Sequence, residues 1–174
     1  MIRRLFCALM CVLLLTGGAH AETSKELVRL HVVAEDDSPS AQALKLQLRD
    51  TCLRCAQVCL SDAPDADTAY MRLMQHLDDF EAACTARARE LGYAGSITAE
   101  TGVFHFPDRI YGNLSVPAGA YRALRITIGE GEGHNWWCVL YPTLCAINEQ
   151  DAAGDTDPRS VLAWLKARMG GWTA

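Results

Sequence analysis

The sequence lacks an excess of basic residues. Its 16 lysines and arginines are outnumbered by 21 aspartates and glutamates, and the formal net charge is −5. A nucleic-acid-binding domain normally carries a basic stripe, and adhesion to anionic lipid needs a basic patch. The charge balance therefore argues against both classes of partner.

The sequence also lacks internal repeats, Ser-, Pro- or Gln-rich tracts and any second long apolar run. Its one such run, residues 5–15, follows Arg3 and Arg4 and precedes Ala19-His20-Ala21. This order is typical of a secretory signal, and the run is shorter than the roughly 20 residues that span a membrane. We predict a signal peptide over 1–21, export, and no transmembrane helix in the mature chain.

The periodicity of the remaining apolar residues predicts both strands and helices. Residues 27–33 alternate and place Val28, Leu30 and Val32 on one fully apolar face. Ser38 and Pro39 are typical of a helix start, and apolar spacings of three and four predict helices over 41–60 and 67–91. Further strands are predicted over 97–106 and 121–128, joined by a long turn over 107–120, and a short one within 139–147.

These elements predict an α+β fold. We expect a single sandwich-like domain over 22–147, in which a small sheet of about three to five strands is packed by two long helices. An acidic linker over 148–157 then leads to a C-terminal amphipathic helix within 158–174.

Six of the eight cysteines lie beyond the predicted signal, and an even number in an exported chain favours disulfides. Cys52, Cys55, Cys59 and Cys84 fall on the apolar stripes of the two helices, which favours core packing with a possible disulfide from Cys52 or Cys55 to Cys84. No histidine pair completes a zinc ligand set at a familiar spacing, so we predict neither a metal nor a cofactor.

Residues 129–145, GEGEGHNWWCVLYPTLC, concentrate the unusual residues of the chain. The glycines do not lead into a helix, and Glu130 and Glu132 would repel phosphate, so a phosphate cradle is unfavourable. Cys138 and Cys145 flank a proline turn and are predicted to form a disulfide.

One of the paired tryptophans should face outward, because neighbours on an extended chain face opposite sides. Exposed aromatic residues are favoured anchors in interfaces, so the stretch is predicted to bind a partner protein. The predicted partner-binding loop comprises Gly129, Glu130, Gly131, Glu132, Gly133, His134, Asn135, Trp136 and Trp137. A secondary surface comprises His31, Glu35, Asp36, Asp37 and Ser38.

Two other functions stay open at this point. A cysteine-dependent hydrolase of cell-wall peptides would use Cys138 as nucleophile with His134 or His105 as base. An envelope metal-binding protein would instead gather Glu130, Glu132, His134 and Cys138 around a metal. A Cys138 disulfide excludes the first, and the residues favour a binding module over an enzyme.

Two segments resemble the stage II sporulation protein R family, namely LVRLHVVAEDDSPSAQALKLQLRD from Leu27 and FPDRIYGNLSVPAGAYRALRITIGEGEGHNWWCVLYPTLC up to Cys145. The resemblance implies secretion from the forespore into the septal intermembrane space. There the protein would activate a membrane-embedded aspartic protease of the mother cell that processes pro-sigma-E, with no catalytic activity of its own.

The sequence departs from the family pattern in two places. Glu35-Asp36-Asp37-Ser38 replaces an Asn-Ser-Asp-Ser-like turn, which keeps the helix cap and changes the local charge. The four helical cysteines are not part of the family pattern, so the resemblance assigns them no role.

Overall fold

The computed structural model describes residues 24–111 and 114–142. The predicted signal peptide, the acidic linker, the C-terminal helix and Cys145 lie outside these residues. The elements run in the order β1 (Ser24–Val33), α1 (Pro39–Cys59), α2 (Ala66–Gln75), α3 (Leu77–Glu90), β2 (Ile97–Phe106), β3 (Arg109–Tyr111), β4 (Leu114–Val116), β5 (Gly119–Ile128) and β6 (Asn135–Tyr141). The α+β class is confirmed.

The main sheet has four strands in the order β2-β5-β1-β6. Strands β1 and β5 are parallel at its centre, whereas β2 and β6 pair antiparallel with them at the two edges. Parallel neighbours need a long crossover connection, and here three helices and strands β2, β3 and β4 lie between them in the chain. Strands β3 and β4 form a separate antiparallel hairpin.

The helices pack on one face of the sheet and bury its apolar residues. Val28, Leu30 and Val32 are fully buried in this core, as the alternation of β1 predicted. Leu124 and Ile126 of the parallel strand β5 lie beside them. Removal of these side chains from water is the main force that holds helices and sheet together.

The predicted helix over 67–91 is wrong in one respect, because it is two helices that meet at His76. The His76 backbone leaves the helical region at φ −110° and ψ 20°, while its carbonyl accepts hydrogen bonds from the amides of Asp79 and Phe80. The break lets α2 pack on β1 while α3 packs on α1 and β2. The apolar spacing continues across His76, so periodicity did not reveal it.

The strands differ from expectation in two places. The predicted turn over 107–120 contains the β3–β4 hairpin. Strand β6 begins at Asn135, so Asn135, Trp136 and Trp137 belong to a strand and not to the predicted loop. Within 24–111 and 114–142, no helix is long and apolar enough to cross a membrane.

Candidate partner-binding surface

Two turns pair at one end of the central strands. The first, residues 34–38, follows β1, and the second, residues 129–134, joins β5 to β6; we call them the paired turns. The Glu132 amide donates to the Glu35 carbonyl at 3.0 Å, and the Gly133 amide donates to the Ala34 carbonyl at 2.9 Å. These bonds continue the antiparallel pairing of β1 with β6. Residues 129–134 of the predicted loop and residues 35–38 of the predicted secondary surface therefore form one continuous surface.

The glycines of the second turn make this close pairing sterically possible. A Cβ atom on Gly133 would lie 2.2 Å from the Asp36 backbone carbonyl oxygen, so a larger residue would separate the two turns. Gly129 and Gly131 have positive φ angles of 57° and 69°, which other residues rarely adopt. The glycine pattern is thus explained by backbone geometry, without a phosphate ligand.

Side chains of the first turn and of α1 fix the turns to the helix. The Ser38 hydroxyl accepts a hydrogen bond from the Ala41 amide at 3.2 Å, which confirms the predicted helix cap. The Asp36 Oδ1 atom accepts from the Ser38 amide at 2.8 Å. From α1, the Lys45 ammonium donates to the His134 carbonyl at 2.9 Å and to the Gln42 side chain. The second turn is therefore bonded to both the first turn and α1.

Lys45 is the residue of this surface that the sequence analysis missed. It is 6% exposed, and burial lowers its pKa below the ordinary value. Lys45 stands four residues after Ala41 and three before Leu48, on the buried stripe of α1. The sequence did contain an indication of this role, because Lys45 occupies a position where the helical spacing predicts an apolar residue.

Carboxylates dominate the exposed side of the paired turns. The Asp37 Oδ1 atom accepts from the His134 amide at 2.7 Å, and Asp37 also pairs with the His134 ring. Hydrogen bonds from His134 lower the pKa of Asp37. The charge of Glu35 also acts on Tyr93, whose pKa is raised by burial and by this negative charge. The carboxylates of the paired turns are those of Glu35, Asp36, Asp37, Glu130 and Glu132.

The two tryptophans face opposite sides of the sheet, as predicted. Trp136 lies on the helix side, with the Arg49 guanidinium 5.0 Å from its ring centre. Trp137 lies on the other side, stacked on His31 with ring centres 4.0 Å apart. Both tryptophans are half-buried, so neither is the fully outward anchor that the sequence suggested.

His31 does not belong to the surface, because it is only 7% exposed. It pairs with Trp137 across β1 and β6, and this register covers its ring. The assignment of His31 to the secondary surface was wrong, whereas Glu35, Asp36, Asp37 and Ser38 do lie in the paired turns.

Cys138 cannot act as a free nucleophile in this structure. It is fully buried and disulfide-bonded. Its predicted partner, Cys145, lies outside the described residues, so that pairing stays a prediction. Within the part of the chain that the structure describes, no three His, Cys, Asp or Glu side chains are arranged to hold a metal ion.

The described residues define a small α+β domain whose most distinctive polar feature is an acidic pair of turns. The chain belongs to the stage II sporulation protein R family, whose family model matches residues 24–151. It is 33% identical over 123 residues to stage II sporulation protein R of Bacillus subtilis (strain 168). That match covers 71% of this chain and 55% of the relative, so the chain aligns with about half of the relative's length. No solved structure matches it significantly.

Proposed function

We propose that this protein is a secreted sporulation signal made in the forespore and exported into the septal intermembrane space. There it activates the membrane-embedded aspartic protease of the mother cell that processes pro-sigma-E. Membership of the stage II sporulation protein R family supports this proposal. A role as a ligand also agrees with a Cys138 that has no free thiol.

The paired turns are the surface that we propose for binding the protease. They are held by backbone hydrogen bonds, by the Lys45 contact and by close packing at Gly133. A surface held in this way loses little conformational freedom on binding, which favours affinity. The pairing of the two turns is the observation that carries this assignment.

The charge of the paired turns indicates what they would recognise. Glu130 and Glu132 are exposed, and neither side chain is needed for the backbone bonds that join the turns. Complementary charge across an interface contributes mainly to specificity and association rate. The protease would therefore offer basic side chains at this contact. To activate the protease, the bound protein must favour its active state over its inactive state.

A reconstituted processing assay tests both parts of the proposal. The full chain, the protease and pro-sigma-E are produced together in a heterologous bacterium, and cleavage of pro-sigma-E is followed by immunoblot. Cleavage is expected only when the chain is present, and deletion of residues 1–21 should abolish it. Cleavage that is unchanged without the chain would refute the proposed activation.

Charge reversal then tests the surface. The double variant Glu130→Lys/Glu132→Lys should abolish cleavage and leave the melting temperature nearly unchanged, because neither side chain holds the fold. The matched control, Glu90→Lys/Asp108→Lys, makes the same change of charge at exposed positions of α3 and the β2–β3 connection. If both double variants lose cleavage of pro-sigma-E equally, the cause is the change in net charge and not the position of the charges. If Glu130→Lys/Glu132→Lys still supports normal cleavage, the contact with the protease lies elsewhere.

A further inference from the structure

Two thiols meet in the helical half of the core. The Sγ atoms of Cys52 on α1 and Cys84 on α3 lie 3.2 Å apart, and both side chains are fully buried. Cys55 and Cys59 are also buried on α1, and all four are free thiols in this structure.

The two sulfur atoms are closer than a loose packing contact, although they are not bonded. A bonded pair of sulfur atoms is separated by about 2.05 Å, so the two atoms need to approach by roughly 1 Å. Core packing alone does not require sulfur on both helices, because apolar side chains fill such positions equally well. A metal is not the reason for the cluster either, since no three ligands in the described part of the chain are suitably arranged.

We propose that Cys52 and Cys84 form a disulfide that joins α1 to α3 in the exported protein. This inference rests on the export proposed above, because disulfides form and persist outside the reducing cytosol. The oxidant is a disulfide carried by a small thiol compound or by a thiol oxidoreductase. One cysteine thiolate attacks it to form a mixed disulfide, and the other cysteine then displaces the carrier. The two thiols lose two protons and two electrons, and the oxidant leaves as two thiols.

The burial of both sulfur atoms indicates when this reaction occurs. No oxidant can reach them in the folded core, and the thiolate is scarce there because the hydrogen bond to Cys84 and burial raise the pKa of Cys52. The bond therefore forms during folding, while the helices are still opening and closing. Once formed, it is shielded from reductants by the same packing.

Peptide mapping tests the proposal directly, because trypsin separates the candidate cysteines. The full chain is refolded in a buffer of glutathione and glutathione disulfide, remaining thiols are alkylated, and the product is digested without reduction. Cleavage after Arg49, Arg54, Arg72 and Arg87 places Cys52 in peptide 50–54 and Cys84 in peptide 73–87. Cys55 and Cys59 fall together in peptide 55–72.

The expected product is peptide 50–54 joined to peptide 73–87, with a mass lower than their sum by two hydrogen atoms. A link between 55–72 and 73–87 would overturn the assignment to Cys52. Full alkylation of the cysteines in all three peptides would overturn the disulfide altogether.

Two variants give a second measurement. Cys84→Ala should leave Cys52 open to alkylation after unfolding. Reductant should lower its melting temperature less than it lowers the parent's, because only the Cys138 disulfide remains to be broken. Cys59→Ala removes a buried thiol from α1, the helix that carries Cys52, and should keep both the cross-link and the full effect of reductant. Loss of the cross-link in Cys59→Ala would contradict the proposal. Because refolding needs neither forespore nor protease, a failed cross-link leaves the processing assay as an independent test of function.

Discussion

The two faces of strand β1 are both buried, but they are buried by different chemistry. On the helix side, Val28, Leu30 and Val32 join a core of aliphatic and small side chains. On the opposite side, Arg29 and His31 lie among aromatic residues. Alternation of apolar and polar residues usually marks one buried and one solvated face, and here it marks two buried faces.

Arg29 shows how a charged residue is accommodated on the second face. It is fully buried, and its guanidinium carbon lies 4.1 Å from the ring centre of Phe106 and 5.0 Å from that of Tyr121. Its Nε atom donates to the Cys138 carbonyl at 3.4 Å. Burial of a charge is unfavourable, and hydrogen bonds and contacts with aromatic rings offset part of that loss. The second face therefore depends on particular partners, whereas the first depends on packing.

The largest effect is expected from a cavity on the helix side. Leu30→Ala removes a fully buried side chain from the centre of the core. It should lower the free energy of unfolding by about 3 kcal/mol, because transfer and cavity terms add. Urea denaturation measures this loss. A loss below about 1 kcal/mol would mean that this face can collapse around the gap and is not tightly packed.

A smaller effect is expected from Arg29→Met on the opposite face. Methionine restores most of the volume but loses the attraction to Phe106 and Tyr121, so we expect a loss of about 1–2 kcal/mol. The same denaturation experiment compares it with Leu30→Ala. An increase in stability would show instead that burying the guanidinium costs more than its contacts return, as happens for some buried ion pairs.

The sequence sufficed for the class of fold because that class follows from apolar periodicity. The face of Val28, Leu30 and Val32 could be identified from alternation alone, and the cap at Ser38 from residue type. The break at His76 could not, because the apolar spacing runs through it unchanged. The burial of Arg29 and His31 could not either, because it depends on which strands lie beside β1.

The candidate surface was predictable only in part, because local residue types are visible in the sequence and long-range strand pairing is not. The unusual residue types of 129–137 indicated a contact region, but the pairing of the two turns depends on β6 lying antiparallel to β1. That pairing joins residues nearly one hundred positions apart, which no local pattern can reveal. His31 and one of the two tryptophans were assigned to the exterior because their cross-strand partners were unknown.

His31 offers the finest test of how the two faces differ. Its ring is stacked on Trp137 and lies edge-on to Phe106. Neither ring nitrogen makes a hydrogen bond of good geometry within the described residues. Burial lowers its pKa below 6.5, and the positive charge of Arg125 acts in the same direction. The Asn135 side chain and the charge of Glu100 oppose this shift without cancelling it.

The smallest expected effect is therefore a dependence of stability on pH that belongs to this one side chain. Above the ordinary pKa of 6.5, His31 is neutral in the folded and unfolded chain and contributes no dependence. As pH falls below 6.5, the unfolded chain takes up a proton that the folded chain resists, so stability is lost until the lowered folded pKa is passed.

Denaturation midpoints measured at about pH 7.5 and about pH 5.5 test this dependence. The decrease in midpoint from the higher to the lower pH should be larger for the parent than for His31→Phe, which keeps the aromatic contact with Trp137 but cannot titrate. His105→Phe, at an exposed position of β2, serves as the matched control and should keep the parent's response. If His31→Phe responds to pH as the parent does, the ring takes up its proton equally in the folded and unfolded chain, and the second face is more open to water than its burial indicates.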